Sequence, residues 1–226
     1  MNSVGNSDFL FLGDPLLFAR RGYNPYDMVK NNMLSIKNVC SLRYIFSGIQ
    51  LDIDIVQNVS DYSVYLTSDN LGSPVLLDHI QDIVADIPLM LRFNSNKYGN
   101  WNNAANVILD TVQYFHSSKI YILSDNIFFL QQLLHQTKNQ ISNHTEFSNI
   151  SIGYDVNTLE QAENYDRNMV QWLDFINVSY QYMNTGISQH MLYLNKPIII
   201  ENINNNTRYN EAKNFGCYAV ITDSIL

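Results

Sequence analysis

Several apolar runs of this 226-residue chain carry, or end in, side chains able to do chemistry. Leu16 to Ala19 runs into Arg20-Arg21-Gly22; Gly48 to Ile55 carries Gln50 and Asp52; Val64 to Thr67 ends in Ser68-Asp69; Ile87 to Asn94 carries Arg92 and closes on Asn94. Carboxylates such as Asp52 and Asp69 offer the oxygens a hard divalent cation needs. The guanidinium forks of Arg20, Arg21 and Arg92 match the oxygens of a phosphorylated ligand bidentately. The alternative use of the same residues is an internal salt-bridge network, with Arg92 paired to Asp52 and Asp69. Ser68 has a nucleophile's hydroxyl but no identifiable base, and reads as a strand-end hydroxyl. The five histidines, His79, His116, His135, His144 and His190, fall on helices or loops and read as surface or packing groups. No spacing suggests a zinc site, a phosphate-binding glycine loop or a nucleophile elbow.

Elements that gather polar groups at one end of buried strands belong to a barrel or a doubly wound sheet, where the carboxyl ends of parallel strands carry the site. Val64 to Thr67 reads as the hairpin-like continuation of the second strand, so the runs above make three strands, and further apolar runs predict five more over 120–123, 150–153, 175–178, 197–200 and 219–222, which makes eight. Helices are predicted between them over 102–115, 125–137, 159–173, 186–193 and 208–214. An earlier helix has apolar positions Met28, Met33, Ile36, Val39, Leu42 and Ile45. Strand and helix alternate, so the sheet is parallel. A chain of this length is filled by one (β/α)8 barrel of roughly 200 to 250 residues.

Composition narrows the partners. With 46% hydrophobic and 15% charged residues the chain has material for a large core. A net charge of −8 repels nucleic-acid phosphates, so no nucleic-acid partner is expected. Cys40 and Cys217 read as free thiols. Residues 1–15 lack a signal peptide's basic start and apolar core, and no later run is long enough to span a membrane. A soluble, cytoplasmic protein is expected.

The motifs resemble those of the glycerophosphodiester phosphodiesterases. In that family a strand reads Ile-Glu-Leu-Asp-Val where this chain has Ile49-Gln50-Leu51-Asp52-Ile53, and Ala-His-Arg-Gly where it has Ala19-Arg20-Arg21-Gly22. The close, Gly216-Cys217-Tyr218-Ala219-Val220-Ile221-Thr222-Asp223, is similar to Gly-Val-Asp-Gly-Ile-Ile-Thr-Asp, and the likeness spans residues 16–224. It implies a barrel over 16–226 after an N-terminal extension of 1–15, with the family's insertion and final helix missing. The apolar stretch Phe9 to Leu12, or a partner chain, is then expected to cover the last strand.

The same resemblance implies that the chemistry has changed. Arg20 and Ser68 stand at the two catalytic histidine positions, Gln50 and Arg92 at metal-binding glutamates, Asn94 at a phosphate-binding lysine and Tyr26 at another site glutamate. Only Asp52 remains of the metal-binding carboxylates, and Asp69 of the second His-Asp pair. No metal or other cofactor is therefore expected. The function expected is that of an inactive phosphodiesterase-like barrel binding a protein partner or a phosphorylated small molecule, with a homo-oligomer left open. A working hydrolase of glycerophosphodiesters or phospholipid headgroups, with a rebuilt site using Ca2+ or Mg2+, is one alternative. A purely structural barrel is the other.

Overall fold

The computed structural model describes residues 13–23, 31–57, 62–67, 75–84, 86–94, 99–117, 119–141 and 147–226. The expectations that fall on Phe9 to Leu12, Tyr26, Ser68 and Asp69 lie outside these residues.

Eight parallel strands close into a barrel: β1 (Leu16–Arg20), β2 (Gly48–Gln57), β5 (Leu89–Phe93), β6 (Ile120–Ser124), β7 (Ile150–Val156), β8 (Phe175–Ser179), β9 (Ile198–Glu201) and β10 (Ala219–Thr222). Closure is made by β1, which pairs with β10 on one side and β2 on the other. The two remaining strands, β3 (Tyr62–Leu66) and β4 (Val75–Leu76), form an antiparallel flap on the far half of β2, with Asp54 opposite Tyr65. The helices are α1 (Met33–Ser41), α2 (Trp101–Val112), α3 (Ile127–Ile141), α4 (Leu159–Glu163), α5 (Arg167–Trp172), α6 (Gly186–Tyr193) and α7 (Asn206–Phe215).

Two expectations need correction. The single helix predicted over 159–173 is two, because Asp166 leaves the helical conformation and caps α5 by accepting a hydrogen bond from Asn168 N at 2.9 Å. Strand β7, predicted to stop at Gly153, continues to Val156, which carries Asp155 into the barrel.

The strands are apolar on both faces because helices cover one side and the barrel lumen takes the other. Outward residues such as Ile49, Leu51, Leu91, Ile122, Ile176, Ile200 and Val220 join the helices in the larger core. Inward residues Phe18, Met90, Tyr121, Leu123, Phe175, Ile199, Ala219 and Ile221 fill the lower barrel. Tyr121 meets Phe18 and Phe175 edge to face at 5.8 and 5.5 Å between ring centroids. Two glycines make room for those rings. A Cβ on Gly48 would lie 2.4 Å from Phe18, and one on Gly153 would lie 2.3 Å from Phe175. On the outside of the last strand, Val220 is fully buried, and Leu226 packs partly buried against the same core.

Candidate functional site

Above the apolar layer the lumen turns polar within one strand repeat. Because inward positions alternate, Gly48, Gln50, Asp52 and Asp54 share a face of β2, and the same step brings Arg92, Asp155, Asn177 and Glu201 to the mouth from β5, β7, β8 and β9. Asp52 and Arg92 are register partners on adjacent strands.

The arginine of β5 does not stop at Asp52. Its side chain crosses the lumen to Asp155 and Glu201: Nε lies 3.1 Å from Asp155 Oδ2, and Nη2 pairs with Glu201. The expected pairing of Arg92 with Asp52 is thus corrected. Asp69, its other expected partner, is outside the described residues. Asp155 is also held by Asn177 Nδ2 at 2.7 Å and Asn157 Nδ2 at 3.2 Å. Burial raises the Asp155 carboxyl above its ordinary range, Arg92 pulls it down and Glu201 pushes it up again. The two flanking carboxylates and nearby Asp52 outweigh burial at Arg92 and hold its guanidinium firmly protonated.

Asp52 has different partners. Its Oδ2 accepts from Arg21 Nε at 2.5 Å and its Oδ1 from Gln50 Nε2 at 2.6 Å. Its backbone is braced by Asn31, which is fully buried and in the left-handed conformation at φ 60°. Asn31 Nδ2 donates to the carbonyls of Asp52 and Thr67 at 2.7 and 2.6 Å, and Asn31 Oδ1 accepts from Asp52 N at 3.2 Å. Arg21 is itself left-handed, at φ 52° directly after β1, a conformation non-glycine residues adopt sparingly and often at sites. Arg20 turns to the opposite rim, where Nη1 donates to Asn202 Oδ1 at 2.8 Å and lies 3.7 Å from Asp223. The three arginines expected to share one anion pocket therefore face three different acidic partners, Asp223, Asp52 and the Asp155–Glu201 pair.

A cavity of about 540 Å³ opens over this layer, lined by Arg21, Asp52, Asp54, Thr67, Arg92, Phe93, Asn94, Asp125, Asp155 and Asn157. Asn94 is thus in the cavity wall, and Arg20 is not among its lining residues. Asp125 and Asn157 follow β6 and β7 directly, in the loops that open α3 and α4. Burial first, and then the negative charge of Asp125 and Asp155, pushes the Tyr154 phenol up to about 12.

The donor set tests the fit of a divalent cation at the three β2 and β5 positions. Gln50 offers one neutral oxygen, both Asp52 oxygens are engaged, and Arg92 brings a positive charge, so these residues do not fit it. Among the described residues no group of three or more His, Cys, Asp or Glu side chains is arranged to hold a metal.

Solved structures of low sequence identity share this architecture. A glycerophosphodiester phosphodiesterase from Parabacteroides distasonis superposes with a TM-score of 0.71 at 11% identity, covering 93% of each chain. The fold is that of the glycerophosphodiester phosphodiesterases. An Oleispira antarctica phosphodiesterase, solved with its product sn-glycerol-3-phosphate, gives 0.70 at 12% identity over 93% of this chain and 94% of its own. A Ca2+-dependent phosphatidylinositol-specific phospholipase C from Streptomyces antibioticus gives 0.54 at 8% identity over 92% and 93%. No protein-family model and no curated protein matches the sequence. Asp52 and Asp54 of β2, Arg92 of β5 and the following Asn94 line the cavity, whereas Gln50 is buried beneath it.

Asn31, Asp155, Asn177 and Glu201 were not among the site residues read from the sequence. Glu201 carried a signal, as a lone acid closing the apolar run Pro197 to Ile200. Asp155 sits two residues past Gly153 on the inward face, but the early strand end concealed it.

Proposed function

We propose that this chain is a non-hydrolysing phosphodiesterase-like barrel that binds a small polar ligand at its mouth. The observation that carries the reading is Arg92, a permanently charged guanidinium held across the lumen by Asp155 and Glu201 beside Asp52, which the resemblance makes the one retained metal-binding carboxylate. Guanidinium stays protonated at ordinary pH and cannot act as a base. A positioned acid or base contributes about 10²- to 10⁴-fold in rate, and the resemblance puts Arg20 and Ser68 where both family histidines belong. Metal-assisted stabilisation of a phosphoryl transition state has no supporting donor set at Gln50, Asp52 and Arg92. The cavity lies within the usual range of small-molecule sites, roughly 300 to 1,000 Å³.

A phosphorylated ligand is tested first, by titration with glycerol 3-phosphate, because guanidinium forks suit phosphate and both Arg21 and Arg92 reach the cavity. The test of non-hydrolysis is an assay with glycerophosphocholine and a lysophospholipid in Ca2+, Mg2+, Mn2+ and chelator. No turnover above buffer is expected. Metal-dependent turnover that Asp52→Asn abolishes would establish instead the alternative reading, a phosphodiester hydrolase with a rebuilt site.

A further inference from the structure

An anion entering the mouth meets a guanidinium that is already shared. Arg92 lines the cavity, and only 13% of its side chain is exposed. Its Nη2 pairs with Glu201 and lies 3.4 Å from Asp155 Oδ1, while Nε faces Asp155 Oδ2 at 3.1 Å. Nη1 is the remaining donor nitrogen, accessible and without a hydrogen bond among the described residues. Nη1 and Nη2 together form the edge of the fork that grips an oxyanion through two oxygens. An anion landing on Nη1 therefore competes with Glu201 for Nη2.

The displaced acid has no other cation to turn to. Asp155 and Glu201 are both buried, and once the Nη1–Nη2 edge is taken they are left with Nε alone. Two buried carboxylates that lose part of a shared cation do not both stay ionised. Burial raises the Asp155 carboxyl already, Arg92 lowers it and Glu201 raises it again, so a weaker hold by Arg92 moves it further up. Arg21 is held by Asp52 at 2.5 Å, and Arg20 lies beside Asp223 at the opposite rim. The other groups around the pair are neutral or negative. Asn177 and Asn157 donate to Asp155, the Tyr154 phenol feels its charge, and Asp52 and Asp125 bring further negative charge from β2 and from the loop after β6.

We propose that anion binding at Arg92 is proton-linked: an oxyanion takes the Nη1–Nη2 edge, Glu201 is released from it, and the Asp155–Glu201 pair takes up one proton. This rests on the ligand-binding reading of the mouth and adds its regulation by pH. The proton passes from solvent to a carboxylate oxygen of the pair, no bond of the anion breaks, and the pair falls from two negative charges to one. Binding therefore strengthens as pH falls, and at higher pH the two acids hold the guanidinium against the anion.

The experiment is calorimetric titration of the full chain with sodium sulfate, an oxyanion that stays fully ionised throughout, between about pH 5 and about pH 8, above the ordinary aspartate range. Each pH is run at fixed ionic strength in two buffers of different ionisation enthalpy, so that proton uptake appears as a difference in heat. Affinity is expected to rise about threefold or more for each pH unit of acidification, towards the roughly tenfold limit that a single proton sets. Arg92→Met is expected to lose sulfate binding. Asp155→Asn and Glu201→Gln are each expected to bind sulfate at about pH 8 roughly tenfold more tightly than wild type, and to lose most of the pH slope. General titration of the acidic chain would leave that slope in place. Thermal unfolding shows whether each variant is folded; if one is not, the other and the wild-type buffer comparison decide. Sulfate binding without proton uptake, a slope that survives in the folded variants, or unchanged binding by Arg92→Met would each overturn the linkage while leaving the mouth a ligand site. No sulfate binding at any pH would overturn the linkage and the anion reading together.

Discussion

The lower and upper halves of the barrel lumen are built from the same inward face of the same strands, yet they follow opposite rules. Below, Phe18, Met90, Tyr121, Phe175 and Ile199 pack around two glycines whose missing side chains leave room for aromatic rings. Two residues further along, Gln50 donates to Asp52, Asn177 donates to Asp155, and Arg92 pairs with Glu201. Shape decides the first layer and charge balance the second. A close-packed apolar layer tolerates little change in volume, whereas a polar layer can be rewritten provided each buried charge finds a partner. The barrel can therefore keep its fold while the chemistry at its mouth changes.

Breaking either layer is expected to cost the most. Phe175→Ala should lower unfolding free energy by about 3 to 5 kcal/mol, since it empties the centre of the lower layer. Arg92→Met should cost a similar amount, roughly 3 to 5 kcal/mol, because Asp155 and Glu201 would be left buried without their cation. The difference between the layers appears in the repair. Adding Asp155→Asn and Glu201→Gln to Arg92→Met is expected to recover most of that loss in urea unfolding, while no charge change elsewhere should rescue Phe175→Ala. Failure of the repair would mean that the polar layer contributes more than charge balance.

Glycine substitution is the next smaller effect. Gly48→Ala places a methyl on the Phe18 ring and should cost about 1 to 3 kcal/mol by overpacking. A far-UV spectrum unchanged from wild type would show that only the packing has suffered.

The pH dependence sharpens the contrast. Asp155 has a folded-state pKa raised above its unfolded value, chiefly by burial. The folded state thus holds that proton more tightly, so this group's contribution is fully present below the ordinary aspartate range, about pH 4, and is lost as pH rises through the raised value. Arg92 opposes the shift, so Arg92→Met should steepen the fall in stability with rising pH, and the further Asp155→Asn should remove it. Denaturant midpoints measured across that range test both slopes. The smallest effect is expected at the rim, where Arg20 and Asp223 are 3.7 Å apart and both part-exposed. Arg20→Ala should change stability by no more than about 1 kcal/mol, and a larger loss would extend the buried network to the rim.

How much was legible beforehand differs between the two layers for the same reason. Strand β10 and helix α6 fall where the apolar runs and their flanking residues put them. Local signals suffice there, because a strand buried on both faces must be apolar and a parallel sheet needs a helix between strands. Arg20, Arg21 and Arg92 could be marked as candidates because they sit at or near strand ends, and Asp52 because it interrupts the apolar run of β2. The partners could not be read in the same way. Arg92 meets residues 63 and 109 positions away, and Asn31, left-handed and just ahead of α1, reaches Asp52 across 21 positions.

The sequence by itself determined the eight barrel strands, from the apolar period along each segment, and their parallel order, from the helices that alternate with them. Only the tertiary structure decided which acid each arginine faces. The stagger of a closed barrel sets which inward side chains lie opposite one another across the lumen. That stagger is a property of closure, and no single segment encodes it.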